Sequence, residues 1–309
     1  MIMIRSDAKY WPPPKLIRRF HRRMLELRQL LVRKIEITNG SCGYHFRCES
    51  VREFNRCLKM FSKEPGTVEW ITKEMRPGDV FYDIGANIGV FSIQAARRVE
   101  PNGKVYAFEP HSANFARLVE NVICNRLQDV VVSCNIPLYS KEGFAYFHYD
   151  STTPGTANSQ LSCTLNESDS RASAVMAELK YATSIDRLIE GSKILPPDHV
   201  KIDIDGNELE VLQGMIHLLQ SPRRPRTLQV ELNGHRNDEI VALMQGLGYR
   251  LASKHYSRSA ARRVARTAVE PTSGCNAIFY PTELVCPDPR LIHPLSQACD
   301  ESLKIHNPV

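Results

Sequence analysis

Short apolar runs alternate with longer stretches of helical spacing through the middle of the chain. Val80 to Ile84 is one such run, and Gly89 to Val99 follows it with Val90, Ile93 and Ala96 on one helical face. Lys104 to Phe108 predicts a second strand after the turn Pro101-Asn102-Gly103. Ala113 to Asn125 predicts a helix with Phe115, Leu118, Val119 and Val122 on one side, and Val130 to Cys134 a third strand. The pattern resumes with a helix near Ser184–Ile189, strand His199–Ile204, helix Leu209–Leu219, strand Thr227–Leu232, helix Asp238–Leu247 and strand Tyr249–Ala252. Asn276–Tyr280 reads as a last strand. Strands alternating with helices of roughly 10–15 residues predict an α/β fold, a mostly parallel sheet with helices on both faces.

The flanking segments have a different texture. Trp11-Pro12-Pro13-Pro14 cannot be helix interior. Leu16 to Lys34 reads as a basic amphipathic helix, and residues 51–76 as helical segments ending at the breaker Arg76-Pro77-Gly78. The expected organisation is an N-terminal helical appendage over 1–76, the α/β domain over 77–285 and a tail over 286–309. Inside the domain a strand at Phe144–His148 precedes Ser151–Ser173, where ten of 23 residues are Ser or Thr. Long loops in compact domains serve function or are disordered, so 151–182 is expected to shape the substrate pocket.

Charge sharpens this picture at two places. Of the net +6, residues 1–34 hold ten Lys or Arg against Asp7 and Glu26, and a second basic run extends from Lys254 to Arg266. Such runs suit a solvated face, a nucleic acid or an anionic membrane surface. Residues 16–34 can therefore contact a membrane or a partner. The nine cysteines are scattered without a CxxC pair, which suggests neither a zinc site nor a disulfide framework. No apolar run approaches the roughly 20 residues of a bilayer span. A cytoplasmic protein with reduced thiols is expected.

The chemistry concentrates at strand ends. Asp83-Ile84-Gly85-Ala86-Asn87-Ile88-Gly89 joins the first strand to its helix. Glycines there let a ligand approach the backbone, and the helix start offers free N–H groups. The spacing is GxxxG, with Asn87 where the dinucleotide fingerprint GxGxxG has its second glycine, and Asp83 would repel a pyrophosphate. S-adenosylmethionine, with its amino group and sulfonium, suits the turn better. Glu109 ends the next strand, about 20 residues on, where a carboxylate can accept bonds from both ribose hydroxyls. Val200-Lys201-Ile202-Asp203-Ile204-Asp205-Gly206-Asn207-Glu208 ends another strand in acids. Asp203 is the candidate to face the reaction; Asp205 or Asn207 can cap the helix that follows. Val230-Glu231-Leu232-Asn233-Gly234-His235 supplies two further candidates, Glu231 and His235.

Together these segments resemble the FkbM family of S-adenosylmethionine-dependent methyltransferases. The resemblance runs from about Val80 to Tyr280 and is carried by DIGANIGVFS at 83–92, VYAFEPHSANFARLVENV at 105–122, TSIDRLI at 183–189, VKIDIDGNELEVLQGM at 200–215, LQVELN at 228–233 and LMQGLGYRL at 243–251. It implies a class I methyltransferase (Rossmann-like) fold with a seven-stranded sheet, and O-methylation of a hydroxyl on a sugar or secondary metabolite. Carried over by position, Asp83, Gly85, Asn87 and Gly89 would line the methionine end of the donor and Glu109 its ribose. Asn135 or Ile136 would grip the adenine, and Asp203 and Glu231 would face the reaction centre. The chain departs from the family at His111, where an acid or Asn is usual, and at Asp205-Gly206-Asn207-Glu208, where Glu-Gly-Ala-Glu is usual.

A hydroxyl is a poor nucleophile and needs a base or a metal. Asp203, Glu231 and His235 are candidates for the base. Asp203 with Glu231 could instead hold Mg²⁺, which prefers carboxylate oxygens and water. The charge alone would also fit an RNA or other nucleic-acid methyltransferase. Asn135-Ile136-Pro137-Leu138-Tyr139, however, lacks the adjacent prolines of base-methylating sites, so a small-molecule hydroxyl acceptor is expected over nucleic acid. A non-catalytic binding module is the other alternative; competent residues at every cofactor-facing position speak against it.

Overall fold

The computed structural model describes residues 15–40, 42–162, 174–233, 236–256 and 274–282. Among the expectations, His235, residues 163–173 of the loop, the basic run beyond Tyr256, the prolines at 12–14 and the tail at 286–309 lie outside these residues.

The chain builds a seven-stranded sheet. In chain order its strands are β3 (Val80–Ile84), β4 (Lys104–Phe108), β5 (Val131–Cys134), β9 (His199–Ile202), β10 (Thr227–Leu232), β11 (Tyr249–Tyr256) and β12 (Cys275–Pro281). Their spatial order is β11-β12-β10-β9-β3-β4-β5. The five from β10 to β5 are parallel, and β12 and β11 close the other edge antiparallel. The chain thus runs outward through β3, β4 and β5, then crosses back to β9. The switch point lies between β3 and β9, where open α/β sheets bind ligands at the carboxyl ends of their strands.

Alternation along each strand divides the core in two. Phe81, Val105, Ala107 and Ile278 face one side, under α3 (Pro65–Glu74), α4 (Val90–Val99) and α5 (Ser112–Cys124). Tyr82, Tyr106, Phe108, Val200 and Val230 face the other, under α6 (Ile185–Glu190), α7 (Glu208–Gln213), α8 (Ile216–Gln220) and α9 (Asn237–Gly246). Full burial of each such side chain contributes roughly 1.5–3 kcal/mol. The single helix expected at Leu209–Leu219 is two, α7 and α8. At Gly214 between them a Cβ would stand 2.3 Å from the Tyr139 carbonyl oxygen. The Asp186 carboxylate then accepts the first N–H groups of α8, from His217 and Leu218, both at 2.9 Å.

The N-terminal 76 residues are not helical throughout. α1 (Lys15–Leu31) stands exposed, but the chain then forms a hairpin, β1 (Arg33–Asn39) and β2 (Cys42–Cys48). The expected helix to Lys34 therefore stops short. Tyr44, Phe46 and Cys48 face the core, and Asn121 and Asn125 of α5 accept the N–H groups of Arg47 and His45, blunting the free edge of β2. α2 (Val51–Leu58) starts at a capping box: Ser50 Oγ accepts from Glu53 N, and Glu53 Oε2 accepts from Glu49 N. Cys57 of α2, with Trp70 and Ile71 of α3, joins the buried cluster that also holds Phe81 and Ile93.

A three-stranded antiparallel sheet, β6 (Gly143–Tyr149), β7 (Gln160–Leu161) and β8 (Met176–Ala182), is inserted between β5 and α6. Only its first strand was expected. Residues 150–159 run between β6 and β7 as a strap over the carboxyl end of the sheet.

Candidate active site

Register assembles the site. Asp83 pairs with Lys201, Ile84 with both Phe108 and Ile202, so Gly85, Glu109 and Asp203 emerge side by side at the next position of three adjacent strands. Gly85 N donates to the Phe108 carbonyl at 2.9 Å and Asp203 N to the Ile84 carbonyl at 3.0 Å, which pulls the three ends together. Gly85 has φ +86, and a Cβ there would lie 1.9 Å from the Asp203 carbonyl oxygen. The glycine is thus required by the crossing of two backbones as well as by a ligand. Gly89, at φ +89, starts α4, and a Cβ on it would meet Leu118 at 2.6 Å.

A cavity of about 70 Å³ opens beside this turn. Gly85, Asn87 and Glu109 line one side. Phe108, Ile136, Leu138 and Phe147 make an apolar wall, and Thr156, Ala157 and Leu161 cover it. The Glu109 carboxylate is buried and held by two backbone donors, Asn87 N at 2.6 Å and His111 N at 2.8 Å. Each oxygen keeps a further lone pair for a ligand donor. Burial pushes this carboxyl up to about 7, against the pull of the two N–H groups.

S-adenosylmethionine, which the resemblance implies, fits these residues. A buried carboxylate with spare acceptor capacity suits a ribose diol, the apolar wall suits a purine, and the Gly85 turn leaves room for a close chain. Two expected residues serve the site from behind. Asp83 is fully buried and lines no cavity; Ser92 Oγ donates to it at 2.6 Å, and Lys201 Nζ lies 3.7 Å away. Asn135 spends its amide on the carbonyls of Glu109 and Pro110 and accepts from Lys180, leaving Ile136 as the cavity residue of that pair.

The strap over this cavity is tied to its surroundings. Asn87 Nδ2 donates to the Thr156 carbonyl at 2.6 Å, and Asn114 both donates to that carbonyl and accepts from Gly155 N. From α2, Arg52 reaches Thr156 Oγ1 at 2.7 Å and Arg56 the Gly155 carbonyl at 3.3 Å. The Ser/Thr-rich segment, read as shaping the acceptor pocket, covers the cavity beside Glu109 with its described residues.

A second cavity, of about 30 Å³, lies across the turn. Gly85, Asn87 and Asp203 line both, so the two volumes meet at Asp203. Beneath Asp203 is Lys201, a buried ammonium 2.9 Å from Asp203 Oδ2 and 5.1 Å from the Phe91 ring centroid. Burial alone would raise the Asp203 carboxyl, but the Lys201 charge overrides it and holds the group well below the usual carboxylate range. Glu231 stands beside Asp203 and is pushed the other way, by burial and then by the Asp203 charge. The two carboxyls of the pair are thus pushed in opposite directions.

The alternative in which Asp203 and Glu231 hold Mg²⁺ gains no support from the side chains around them. Among the described residues no group of three His, Cys, Asp or Glu converges as a metal site. The cation facing Asp203 is Lys201. Lys201 carries the same alternation as Asp203 in the sequence, but a lysine in a strand reads as an exposed position, and only the pairing with Asp83 shows it buried.

Comparison with known proteins identifies relatives of the chain. The family model described as the methyltransferase FkbM domain matches residues 83–251, more than half of the chain. Hexuronic acid methyltransferase AglP of Haloferax volcanii is 30% identical over 181 residues, 58% of this chain and 68% of that protein. 31-O-demethyl-FK506 methyltransferase FkbM of Streptomyces tacrolimicus is 29% identical over 223 residues, 65% of this chain and 84% of that protein. The crystal structure of a methyltransferase FkbM from Methylobacillus flagellatus superposes over 69% of this chain and 50% of its own, with 14% identity and a TM-score of 0.42. With the donor turn, the carboxylate after β4 and the block after β9 all inside the matched span, the chain belongs to the FkbM family and is an S-adenosylmethionine-dependent methyltransferase.

Proposed function

We propose that the protein methylates a hydroxyl on a sugar or a secondary-metabolite-like small molecule. The observation that carries this reading is the meeting of two cavities at Asp203, one beside Glu109 and one across the Gly85 turn. The names of the two relatives, a hexuronic acid methyltransferase and a 31-O-demethyl-FK506 methyltransferase, support small hydroxylated acceptors.

S-adenosylmethionine, when bound, supplies a methyl group on a sulfonium leaving group. The chain's own work is alignment. Glu109 accepts the ribose hydroxyls, Ile136 and Leu138 flank the base, and the Gly85–Asn87 turn passes the methionine end. Asp203, kept ionised by Lys201, orients the acceptor hydroxyl and takes its proton as the new C–O bond forms. Glu231 restrains Asp203 from the neighbouring strand end.

The test is methyl transfer from labelled donor to sugars, glycosides, phenols and RNA. Asp203→Asn is expected to lower turnover by about 10²–10⁴-fold with donor affinity retained. Retained turnover would remove Asp203 from the mechanism, and salt-sensitive labelling of RNA alone would replace the small-molecule reading.

Two further aspects concern location. All six described cysteines are free thiols, which supports a reducing, cytoplasmic setting. α1 exposes Leu16, Ile17, Phe20, Met24 and Leu27 beside Arg18, Arg19, Arg22, Arg23 and Arg28. That combination supports peripheral binding to an anionic membrane; no helix among the described residues is long and apolar enough to cross one.

A further inference from the structure

We infer that the acceptor carries a negative group, a carboxylate or a phosphate, and that the second cavity holds it with cations from α2 and the turn after it. This rests on the methyl-transfer reading of the shared Asp203 and names the class of molecule that reading leaves open.

Arg52, Arg56, Lys59 and Lys63 recur at intervals of four, three and four, the spacing of one helical face. α2 ends at Leu58, but Lys63 N still donates to the Lys59 carbonyl at 2.8 Å, so the row continues past the helix. Arg56, Lys59 and Lys63 form one wall of the second cavity; Val90 and Phe91 line it as well, and Asp203 closes the end it shares with the donor cavity.

Three cations of this wall, Arg56, Lys59 and Lys63, stand beside one carboxylate, Glu64. Among the described residues no carboxylate lies within 4.0 Å of Arg52, Arg56 or Lys59. Arg52 and Arg56 donate to a hydroxyl and a carbonyl, which accept hydrogen bonds without cancelling charge. Lys63 pairs with Glu64 at 2.9 Å, the one contact in the row that neutralises a cation, and Glu64 also accepts from Asn276.

The nearby acids have partners of their own, with Lys201 the one cation bonded among them in the described residues. Asp203 has Lys201, Glu208 accepts from the N–H groups of Ile204 and Gly206, and Asp205 accepts from Asn158 N. A row of cations along one wall raises the local concentration of anions and orients an anionic group that enters. The placement gives the acceptor a polarity: its anionic end against α2, its ring over Phe91, its hydroxyl at Asp203. A neutral sugar would find only the last two.

The test uses the full chain loaded with S-adenosylhomocysteine and compares binding of glucuronate, glucose 6-phosphate and methyl glucoside by calorimetry. Turnover with labelled donor is measured for each in parallel. At least one charged sugar is expected to bind about tenfold or more tightly than the neutral one, with marked salt dependence. Which of the two does so identifies carboxylate or phosphate. Lys59→Gln and Lys63→Gln, both at exposed side chains whose loss leaves the melting temperature in place, are expected to erase that preference.

Equal affinity for charged and neutral sugars overturns the inference, as does a preference that survives both substitutions, or no saturable binding of either anion. Failure of the chain to bind S-adenosylhomocysteine would instead overturn the methyl-transfer reading beneath it.

Discussion

A carboxylate that has to accept two hydroxyl hydrogens is disabled by a proton, and Glu109 sits close to that limit. Its carboxyl is pushed up to about 7 by burial, so the ionised form that binds ribose is complete only above that pH. Donor affinity is expected to fall about tenfold for each unit below pH 7 as the carboxylate is protonated. Glu109→Gln should weaken donor binding by roughly 10–100-fold and leave it flat with pH; calorimetric titration between pH 5.5 and 8.5 reads both. Lys201 is bound by a different constraint. Its ammonium is the cation between Asp83 and Asp203, and removing one member of a buried ion pair costs about 3–5 kcal/mol. Lys201→Met should therefore lower the unfolding free energy by about that amount in urea titration. Asp83→Asn combined with it should recover part of the loss, because one stranded charge is gone. At this scale the sequence was legible where backbone geometry and chemistry coincide: Gly85, Asn87 and Glu109 line one cavity together. It was not legible where a side chain's role depends on a strand far away. Asp83 looks like a ligand contact until Lys201 is placed beside it, and Asn135 looks like one until Lys180 and the Glu109 carbonyl claim its amide.

Elements with strong periodicity followed the sequence, while those whose partners are distant did not. β3, α4, β4 and α5 match the expected spans to within a residue, because an apolar strand and an amphipathic helix each announce their own period. β8 did not. Met176-Ala177-Glu178-Leu179-Lys180-Tyr181-Ala182 is rich in helix formers, yet it pairs along its whole length with β6. Cross-strand partners override intrinsic preference there. The hairpin of β1 and β2 was hidden in the same way, its first strand absorbed into the expected helix of α1. The strap between β6 and β7 has no regular hydrogen bonding of its own, and its position depends on Asn87, Asn114, Arg52 and Arg56. Asn114→Ala removes two of those contacts from inside α5. The expected result is faster proteolytic cleavage near residues 150–160 with an unchanged melting temperature, and donor dissociation accelerated severalfold in stopped-flow; a cleavage rate equal to wild type would remove Asn114 from the hold on the strap.

Across the whole molecule, the sheet and its two buried clusters form one unit that reaches back to Tyr44, and α1 projects from it. Its exposed apolar side chains are not covered by the described residues, so against these they add little to stability. Substituting Leu16, Phe20 and Met24 together by Ser should leave thermal unfolding and donor binding where they were. The same protein should lose co-sedimentation with vesicles containing phosphatidylserine, and retained co-sedimentation would assign the membrane contact elsewhere. The parallel sheet itself was readable from composition and period, since the alternation of strands and helices permits few arrangements. The way the inserted sheet and α2 close over it was not, because it depends on contacts between residues about 70–105 positions apart, such as Asn87 and Arg52 with Thr156.

Arg56 takes part on both sides of the turn: it lines the second cavity and its guanidinium holds the Gly155 carbonyl over the first. If the two cavities hold donor and acceptor as proposed, both depend on this one side chain, and a change to Arg56 acts on acceptor choice and on the cover over the first cavity together.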